Sequence, residues 1–219
     1  MFVRLLGIAL GTGLLLNACG DDSPPAKTPK EPDSGGADAA GTDASPSTEE
    51  TLRYVGEIED SDVRLAVLSR ADRVRMFFCG GETSLETSTR WFTLIDLQGG
   101  ETTFEEQGWH VEVRVKPEGV TGTLARETDE SRAFSAVPVA KGTLAGLYEG
   151  FSDCGRMGLI VTQPTRAAEI SAQGACVGAE LPKQVNPIMP IAQEDGRIPV
   201  HTPGLEGEVS LLAPSELPL

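Results

Sequence analysis

Strict alternation of apolar and polar residues is the clearest pattern in the chain. It runs from Trp109 to Lys116, where one face carries an indole and three valines and the other carries polar groups. Successive side chains of a strand point to opposite faces of a sheet, so this period predicts a half-buried strand in an antiparallel sheet. The segment 117–119 (Pro-Glu-Gly) then supplies a turn, and 120–124 is predicted as the returning strand.

Similar short runs recur at about ten-residue spacing through the rest of 51–219, and many are separated by glycine-containing breaks. They predict further strands at Leu52–Glu59, Val63–Leu68, Val74–Cys79, Trp91–Leu97, Thr102–Glu106, Ala133–Val139, Leu144–Phe151, Met157–Thr162, Ala168–Ala172, Ile188–Ala192, Ile198–His201 and Glu208–Leu212. No spacing typical of βαβ units is present. The predicted fold class is therefore all-β, an antiparallel sandwich or barrel of many short strands.

One segment, 62–78, fits two structures. Its apolar residues also follow helical spacing, and Asp62 stands where a helix would be capped. The runs 63–65 and 74–78 are rich in residues that favour strands, so two strands around a turn at 69–72 are preferred and the helix is kept as the alternative.

The N-terminus has a different pattern. Residues 1–18 combine Arg4 with an uncharged apolar run from Leu5 to Leu16, which is shorter than the roughly 20 residues that span a bilayer and is typical of a secretory signal peptide. The sequence Leu16-Asn17-Ala18-Cys19 resembles the bacterial lipobox. The resemblance implies cleavage before Cys19 and lipidation of that residue, with roughly 0.8 kcal/mol of anchoring per buried CH₂ of each acyl chain.

Residues 20–50 contain five Pro, four Gly, eight Asp or Glu and two Lys, with no Val, Ile, Leu or aromatic residue. Such a segment cannot bury enough apolar surface to offset its ordering entropy. The predicted organisation is a signal peptide at 1–18, a lipid-anchored, disordered acidic linker at 19–50 and an antiparallel β-domain at 51–219.

The net charge of the chain excludes one class of partner. The 219 residues contain 33 Asp and Glu against 18 Lys and Arg, a formal net charge of -15. An acidic chain repels nucleic-acid phosphates, so nucleic acid is excluded as a partner. The expected partners are the membrane, through the lipid at Cys19, and a protein of the cell envelope.

Three cysteines follow the predicted anchor. Cys154 and Cys176 flank the candidate hairpin 157–172 and are predicted to form a disulfide, as an oxidising compartment permits. Cys79 follows three apolar residues and is expected to be a buried free thiol.

The sequence predicts no catalytic residue, metal site or cofactor. His110 and His201 lie in no recognisable nucleophile–base arrangement, and no zinc-ligand spacing occurs. The acidic group 57–62 (Glu57, Glu59, Asp60, Asp62) could bind calcium through carboxylate oxygens, but a solvated strand end is the preferred interpretation. Trp109 is expected in the core, because it shares a face with valines.

Two short motifs carry a further resemblance. The segments 74–81 and 142–150 resemble uncharacterised secreted β-proteins of high-GC bacteria, and 38–47 resembles myxobacterial lipoprotein tethers. No activity follows from either resemblance.

The expected function is therefore a lipid-anchored, non-catalytic binding or structural module of the cell envelope, facing the periplasm. Gly20 rather than Asp follows Cys19, which favours the outer membrane or the cell surface. The alternative is a lipid-anchored hydrolase with a site built from dispersed carboxylates. A pocket in which several carboxylates and a histidine converge would favour that alternative.

Overall fold

The computed structural model describes residues 50–127, 130–202 and 209–212. The predicted signal peptide, Cys19 and the linker up to residue 49 lie outside the described residues and stay predictions. The described part contains fourteen strands, all paired antiparallel, and one short helix, which confirms the all-β fold class. Among these residues no helix has the length and apolar character needed to cross a bilayer.

The elements follow in this order: β1 (Leu52–Ile58), β2 (Arg64–Arg70), β3 (Arg73–Cys79), α1 (Leu85–Ser88), β4 (Arg90–Asp96), β5 (Glu101–Glu106), β6 (Trp109–Lys116), β7 (Gly119–Arg126), β8 (Arg132–Pro138), β9 (Gly146–Ser152), β10 (Gly155–Thr162), β11 (Ser171–Val177), β12 (Lys183–Pro187), β13 (Arg197–His201) and β14 (Val209–Leu212).

The first eight strands form one sheet in the order β4-β3-β2-β1-β8-β7-β6-β5. Apart from β4 and β5, strands that follow each other in the chain are neighbours in the sheet, and β8 returns to pair with β1. This is the strand order of an up-and-down barrel with one seam, between β4 and β5, left without a ladder. Side chains bridge the seam instead, since the rings of Phe92 and Phe104 lie 5.4 Å apart.

The space inside this eight-stranded sheet is filled by large side chains. Phe78 makes edge contacts with Phe92 at 5.7 Å and with Phe134 at 5.5 Å. In β6 the alternation predicted from the sequence is present: Trp109, Val111 and Val113 are buried in this core and the residues between them face outward. The prediction that Trp109 lies in the core is confirmed.

The last six strands close into a second, smaller barrel in the order β10-β11-β12-β13-β14-β9. Its core is formed by one face of each strand, including Tyr148, Met157 and Leu159. The sulfur atoms of Cys154 and Cys176 lie 1.97 Å apart, which is disulfide distance, on either side of the β10–β11 hairpin. Cys79 is a buried free thiol, as predicted.

The six-stranded barrel packs on the outer face of β1–β3. The contact cluster joins Val55, Ala66, Leu68, Phe77 and Cys79 of the sheet to Leu147, Ile160 and Ala175 of the barrel. Because β2 and β3 are covered on both faces, their residues are buried almost without interruption. The backbone of β10 comes so close that a Cβ on Gly158 would lie 2.8 Å from a Trp91 ring carbon.

Several boundaries differ from prediction. The segment 62–78 is a strand hairpin with a turn at 70–73, so the helical alternative is wrong. The strand predicted at Ala168–Ala172 is shifted to Ser171–Val177, because a turn closed by Ala168 N–H and Thr165 O occupies its first half.

The strand predicted at Ile188–Ala192 is absent, and the ladder is formed by β12, which precedes it. The backbone N–H of Ile188 still donates to Pro199 O at 3.0 Å, but Pro190 has no N–H to donate, so the ladder does not continue through 189–192. Helix α1 was not predicted, since its four residues form one turn without an apolar face.

Candidate functional site

One end of the eight-stranded sheet carries a polar cleft, which we call the polar mouth. It is formed where β1, β3, β5 and β7 end and where β2, β4, β6 and β8 begin, as the register shows: Phe78 is opposite Arg90, Trp109 opposite Arg126, and Leu124 opposite Arg132. Mouths of barrels are among the preferred positions of ligand sites.

Three arginines lie on the inward-facing positions of their strands at this end. Each is two residues from a side chain of the sheet's core: Arg90 from Phe92, Arg126 from Leu124, Arg132 from Phe134. The period of two that buries those core residues therefore directs the arginines to the same side of the sheet. The apolar interior ends here in three positive charges.

Trp109 lies beneath the arginines and is 5% exposed. The guanidinium carbon of Arg90 is 4.6 Å from the centroid of the Trp109 ring, and that of Arg126 is 5.9 Å away. Both distances are within the range of cation–π attraction. Burial lowers the pKa of Arg90, and the nearby charge of Arg126 lowers this pKa further, while Glu106 opposes the change. The two guanidinium groups thus repel each other across one indole.

The polar mouth also carries carboxylates, since Asp60, Asp62 and Glu130 line the cleft, but the arginines form no ion pair with them. In the described part of the chain, no salt bridge involves Arg90, Arg126 or Arg132. Nε of Arg90 and Nε1 of Trp109 are both buried without a hydrogen-bond partner among described residues. Buried donors of this kind cost free energy when they stay unpaired.

The cleft itself has a volume of about 640 Å³, within the usual range of small-molecule sites. One wall is lined by hydroxyl groups, which belong to Ser61, Thr83, Ser84, Thr87 and Ser88. Arg126 and Arg132 line it together with the acidic residues Asp60 and Glu130, and Trp109 lies among the lining residues. The cleft therefore offers both donors and acceptors of hydrogen bonds around a planar aromatic side chain.

Asp62 fixes the hydroxyl wall in place. Its carboxylate accepts from the Thr83 backbone N–H at 2.8 Å, from Thr83 Oγ1 at 2.6 Å and from Ser84 Oγ. Burial alone would raise the pKa of Asp62, but the hydrogen bonds from Ser84 and Thr83 outweigh it and lower this pKa to about 2. Asp62 thereby ties the β1–β2 turn to the segment that precedes α1.

The acidic group considered for calcium is divided by the fold. Asp60 and Asp62 line the cleft, whereas Glu57 and Glu59 do not. Within 50–127, 130–202 and 209–212, no group of three or more His, Cys, Asp or Glu side chains is placed to hold a metal ion. The oxygens of Asp62 accept from the protein's own donors instead.

Neither histidine lies in the cleft. His110 faces outward from β6, where Nδ1 is 3.5 Å from Glu105 Oε1 and Nε2 is 3.6 Å from Glu112 Oε1. His201 is exposed on β13 of the six-stranded barrel. The structure therefore places both histidines apart from the carboxylates of the cleft.

A second charged cluster lies between the sheet and the six-stranded barrel. Glu149 of β9 binds Nη1 of Arg75 at 3.1 Å through one oxygen and Nη2 of Arg156 at 2.9 Å through the other. The Arg156 guanidinium lies 3.8 Å from the centroid of the Trp91 ring. The side chains of Arg75 and Glu149 are 8% and 3% exposed, so we call this set the buried triad (Arg75, Glu149, Arg156).

The arginines of the polar mouth were not predicted from the sequence. The pattern that could have revealed them is the same alternation that identified the strands: on β4, β7 and β8 an arginine occupies the next inward position after the last core residue. Three such arginines converge because the register brings three strand ends together, and register is not visible in the sequence.

No protein-family model, curated protein or solved structure matches this chain.

Proposed function

We propose that the protein is a lipid-anchored binding module of the bacterial cell envelope, held to the membrane through Cys19 and using the polar mouth to bind its ligand or partner. The observation that supports binding is a polar cleft at the end of an apolar core, lined by two arginines, Arg126 and Arg132, that form no ion pair with described residues. At the same end of the sheet, Nε of Arg90 and Nε1 of Trp109 are buried without a hydrogen-bond partner among described residues.

A non-catalytic role fits the protonation chemistry of the cleft. A general acid needs a raised pKa to be protonated near neutral pH, whereas hydrogen bonds lower the pKa of Asp62 to about 2. Asp62 is thus suited to hold a wall of the cleft and not to donate a proton. The hydrolase alternative would need another carboxylate of the cleft as its acid.

The linker would connect the lipid anchor at Cys19 to the β-domain. Residues 20–50 carry the composition of a flexible, acidic tether, and β1 begins at Leu52, directly after it. Flexible-chain scaling gives such a segment a mean span of roughly 30 Å. The β-domain is proposed to stand at that distance from the membrane with the polar mouth free to bind.

Two measurements test the proposal. Cys19→Ala should move the protein from the membrane fraction to the soluble periplasmic fraction, and a variant that still pellets with membranes contradicts the anchor. For binding, the full chain is immobilised and exposed to an envelope extract. Material retained by the wild type should be lost with Arg126→Gln/Arg132→Gln and kept with Arg73→Gln, a control at the opposite end of the sheet.

Retention that is equal for all three chains contradicts a binding role of the polar mouth. Arg73 is a suitable control because it is exposed and forms one weak pair with Asp96, at 3.6 Å.

A further inference from the structure

We propose that the polar mouth binds a sugar that carries one carboxylate or phosphate group, with Arg126 and Arg132 pairing with the acid and the hydroxyl wall contacting the sugar ring. This inference rests on the proposed function, since it names the ligand class of the same cleft. It is argued from charge, from a comparison within the molecule and from the chemistry of the lining.

The charges at the polar mouth are mixed. In a chain with a formal net charge of -15, Arg126 and Arg132 line the cleft and Arg90 lies over the Trp109 ring. The three carboxylates of the lining form no ion pair with these arginines. Arg90 is partly buried and close to the like charge of Arg126, and both features are unfavourable for a guanidinium ion. An anion placed between these groups would remove the repulsion and supply acceptors for unpaired N–H groups.

The buried triad shows how this same protein places a carboxylate in a similar arrangement. There, two arginines and a tryptophan are joined by the carboxylate of Glu149, which bonds each arginine through a separate oxygen. Nε and Nη2 of Arg75, Nε of Arg156 and Nε1 of Trp91 stay without a hydrogen-bond partner among described residues, so the two clusters differ in the ion pairs and not in the unpaired donors. The polar mouth has the arginines and the tryptophan but, among described residues, no carboxylate in an ion pair with them. A ligand carboxylate or phosphate is the group that would complete it.

The rest of the lining indicates a hydroxylated ligand. Side chains with hydroxyl groups form the wall on α1, on the segment before it and in the β1–β2 turn. The hydroxyl hydrogens of Ser61, Thr83 and Ser84 are already donated to acceptors of the protein, so these groups offer oxygen lone pairs to the hydroxyl groups of a ligand. Asp60 and Glu130 add charged acceptors, which bind hydroxyl groups but repel further negative charge. A sugar with a single acidic group meets both conditions, whereas a polyphosphate or a nucleic acid does not.

The experiment is a calorimetric titration of the full chain, purified in non-ionic detergent, with four probes at low salt: glucuronate, glucose 6-phosphate, glucose and inorganic phosphate. At least one of the two acidic sugars is expected to bind more tightly than both glucose and phosphate. Replacing Arg126 or Arg132 with Gln should weaken that binding by about tenfold or more, because a charge-assisted hydrogen bond is lost. Arg73→Gln should leave it unchanged.

Several outcomes would overturn the inference. If neither acidic sugar binds, or if glucose binds with equal affinity, the acidic group of the ligand is not recognised by the polar mouth. Phosphate binding as tightly as glucose 6-phosphate removes the role of the sugar. Unchanged affinity in both arginine variants places the ligand elsewhere.

These failures are distinguishable from failure of the proposed function. If the Cys19→Ala and extract experiments succeed while no acidic sugar binds, the anchored binding module stands and only its ligand class is wrong.

Discussion

Two clusters in this protein combine arginines with a tryptophan, and they differ in one component. In the buried triad, Glu149 neutralises part of the charge of Arg75 and Arg156 while Arg156 stacks on Trp91 at 3.8 Å. In the polar mouth, Arg90 stacks on Trp109 at 4.6 Å and the described residues supply no ion pair. The first cluster joins two parts of the fold, and the second opens to solvent at the end of a sheet.

The carboxylate of Glu149 is the component that separates the two clusters. Burial lowers the pKa of Arg75, Glu149 opposes that effect, and Arg156 adds to it, so the carboxylate is what makes the buried position tolerable for a cation. In the polar mouth, no described residue forms an ion pair with the arginines, and the side chains of Arg126 and Arg132 are exposed. We expect the cluster that has its own carboxylate to stabilise the fold, and we propose that the cluster without an ion pair among described residues binds a ligand.

The largest effect is expected where the carboxylate of the buried triad is removed. Glu149→Gln leaves the buried Arg75 and the partly buried Arg156 without a counter-ion and should lower the free energy of unfolding by about 3–5 kcal/mol. Urea denaturation followed by circular dichroism measures the loss.

The matched control is Glu101→Gln, which removes the carboxylate of an exposed pair with Arg114 at 2.8 Å. Its expected cost is only about 0–1 kcal/mol. Equal costs for the two variants would mean that the buried triad is not a stabilising contact.

A smaller effect is expected when the polar mouth is given a carboxylate of its own. Thr87 lies on the hydroxyl wall, so Thr87→Glu places a negative charge in the cleft and should weaken binding of the acidic sugar by roughly threefold or more. Thr103→Glu adds the same charge on the exposed outer side of β5 and should leave the affinity unchanged. Tighter binding in Thr87→Glu would contradict an anionic ligand.

The arginines at the edge of the polar mouth should contribute little to stability. Arg126 and Arg132 are exposed and form no ion pair with described residues, so replacing either with Gln should change the free energy of unfolding by no more than about 0.5 kcal/mol. Thermal denaturation of the two variants measures this. A loss comparable to that of Glu149→Gln would show that these arginines serve the fold.

The smallest effect is expected on the stability of the folded chain at acidic pH. The pKa of Asp62 is lowered to about 2 in the folded chain from an ordinary value of 3.8, so its hydrogen bonds add stability above pH 4 that is lost as the pH falls towards 2. Solvent screening keeps this contribution small, since Asp62 is only partly buried. Acid unfolding of Asp62→Asn should lack this component, and an identical acid profile in both chains would contradict it.

The fold class was predictable because period-two alternation is a local property of the chain. It identified β6 and the hairpin of β2 and β3, where strand-forming residues outweighed a helical spacing of the same apolar positions. It failed at 188–192, where Pro190 removes a donor that a ladder needs.

The division into an eight-stranded sheet and a closed six-stranded barrel could not be predicted from alternation, because pairing of β1 with β8 and closure of β9 with β14 are long-range contacts. Unbroken apolar runs in β2 and β3 were the only local sign that both faces of these strands are covered. The polar mouth was hidden for the same reason: Arg90, Arg126 and Arg132 are distant in sequence and meet only through register.

The central claim is that an acidic ligand binds at the polar mouth and not at the buried triad. The chain has two tryptophans, one in each cluster, so its indole N–H groups give two NMR signals that a Trp109→Phe variant assigns. Addition of the acidic sugar that binds should shift the Trp109 signal and leave the Trp91 signal in place. A shift of Trp91 alone, or of neither signal at saturating ligand, would contradict the account.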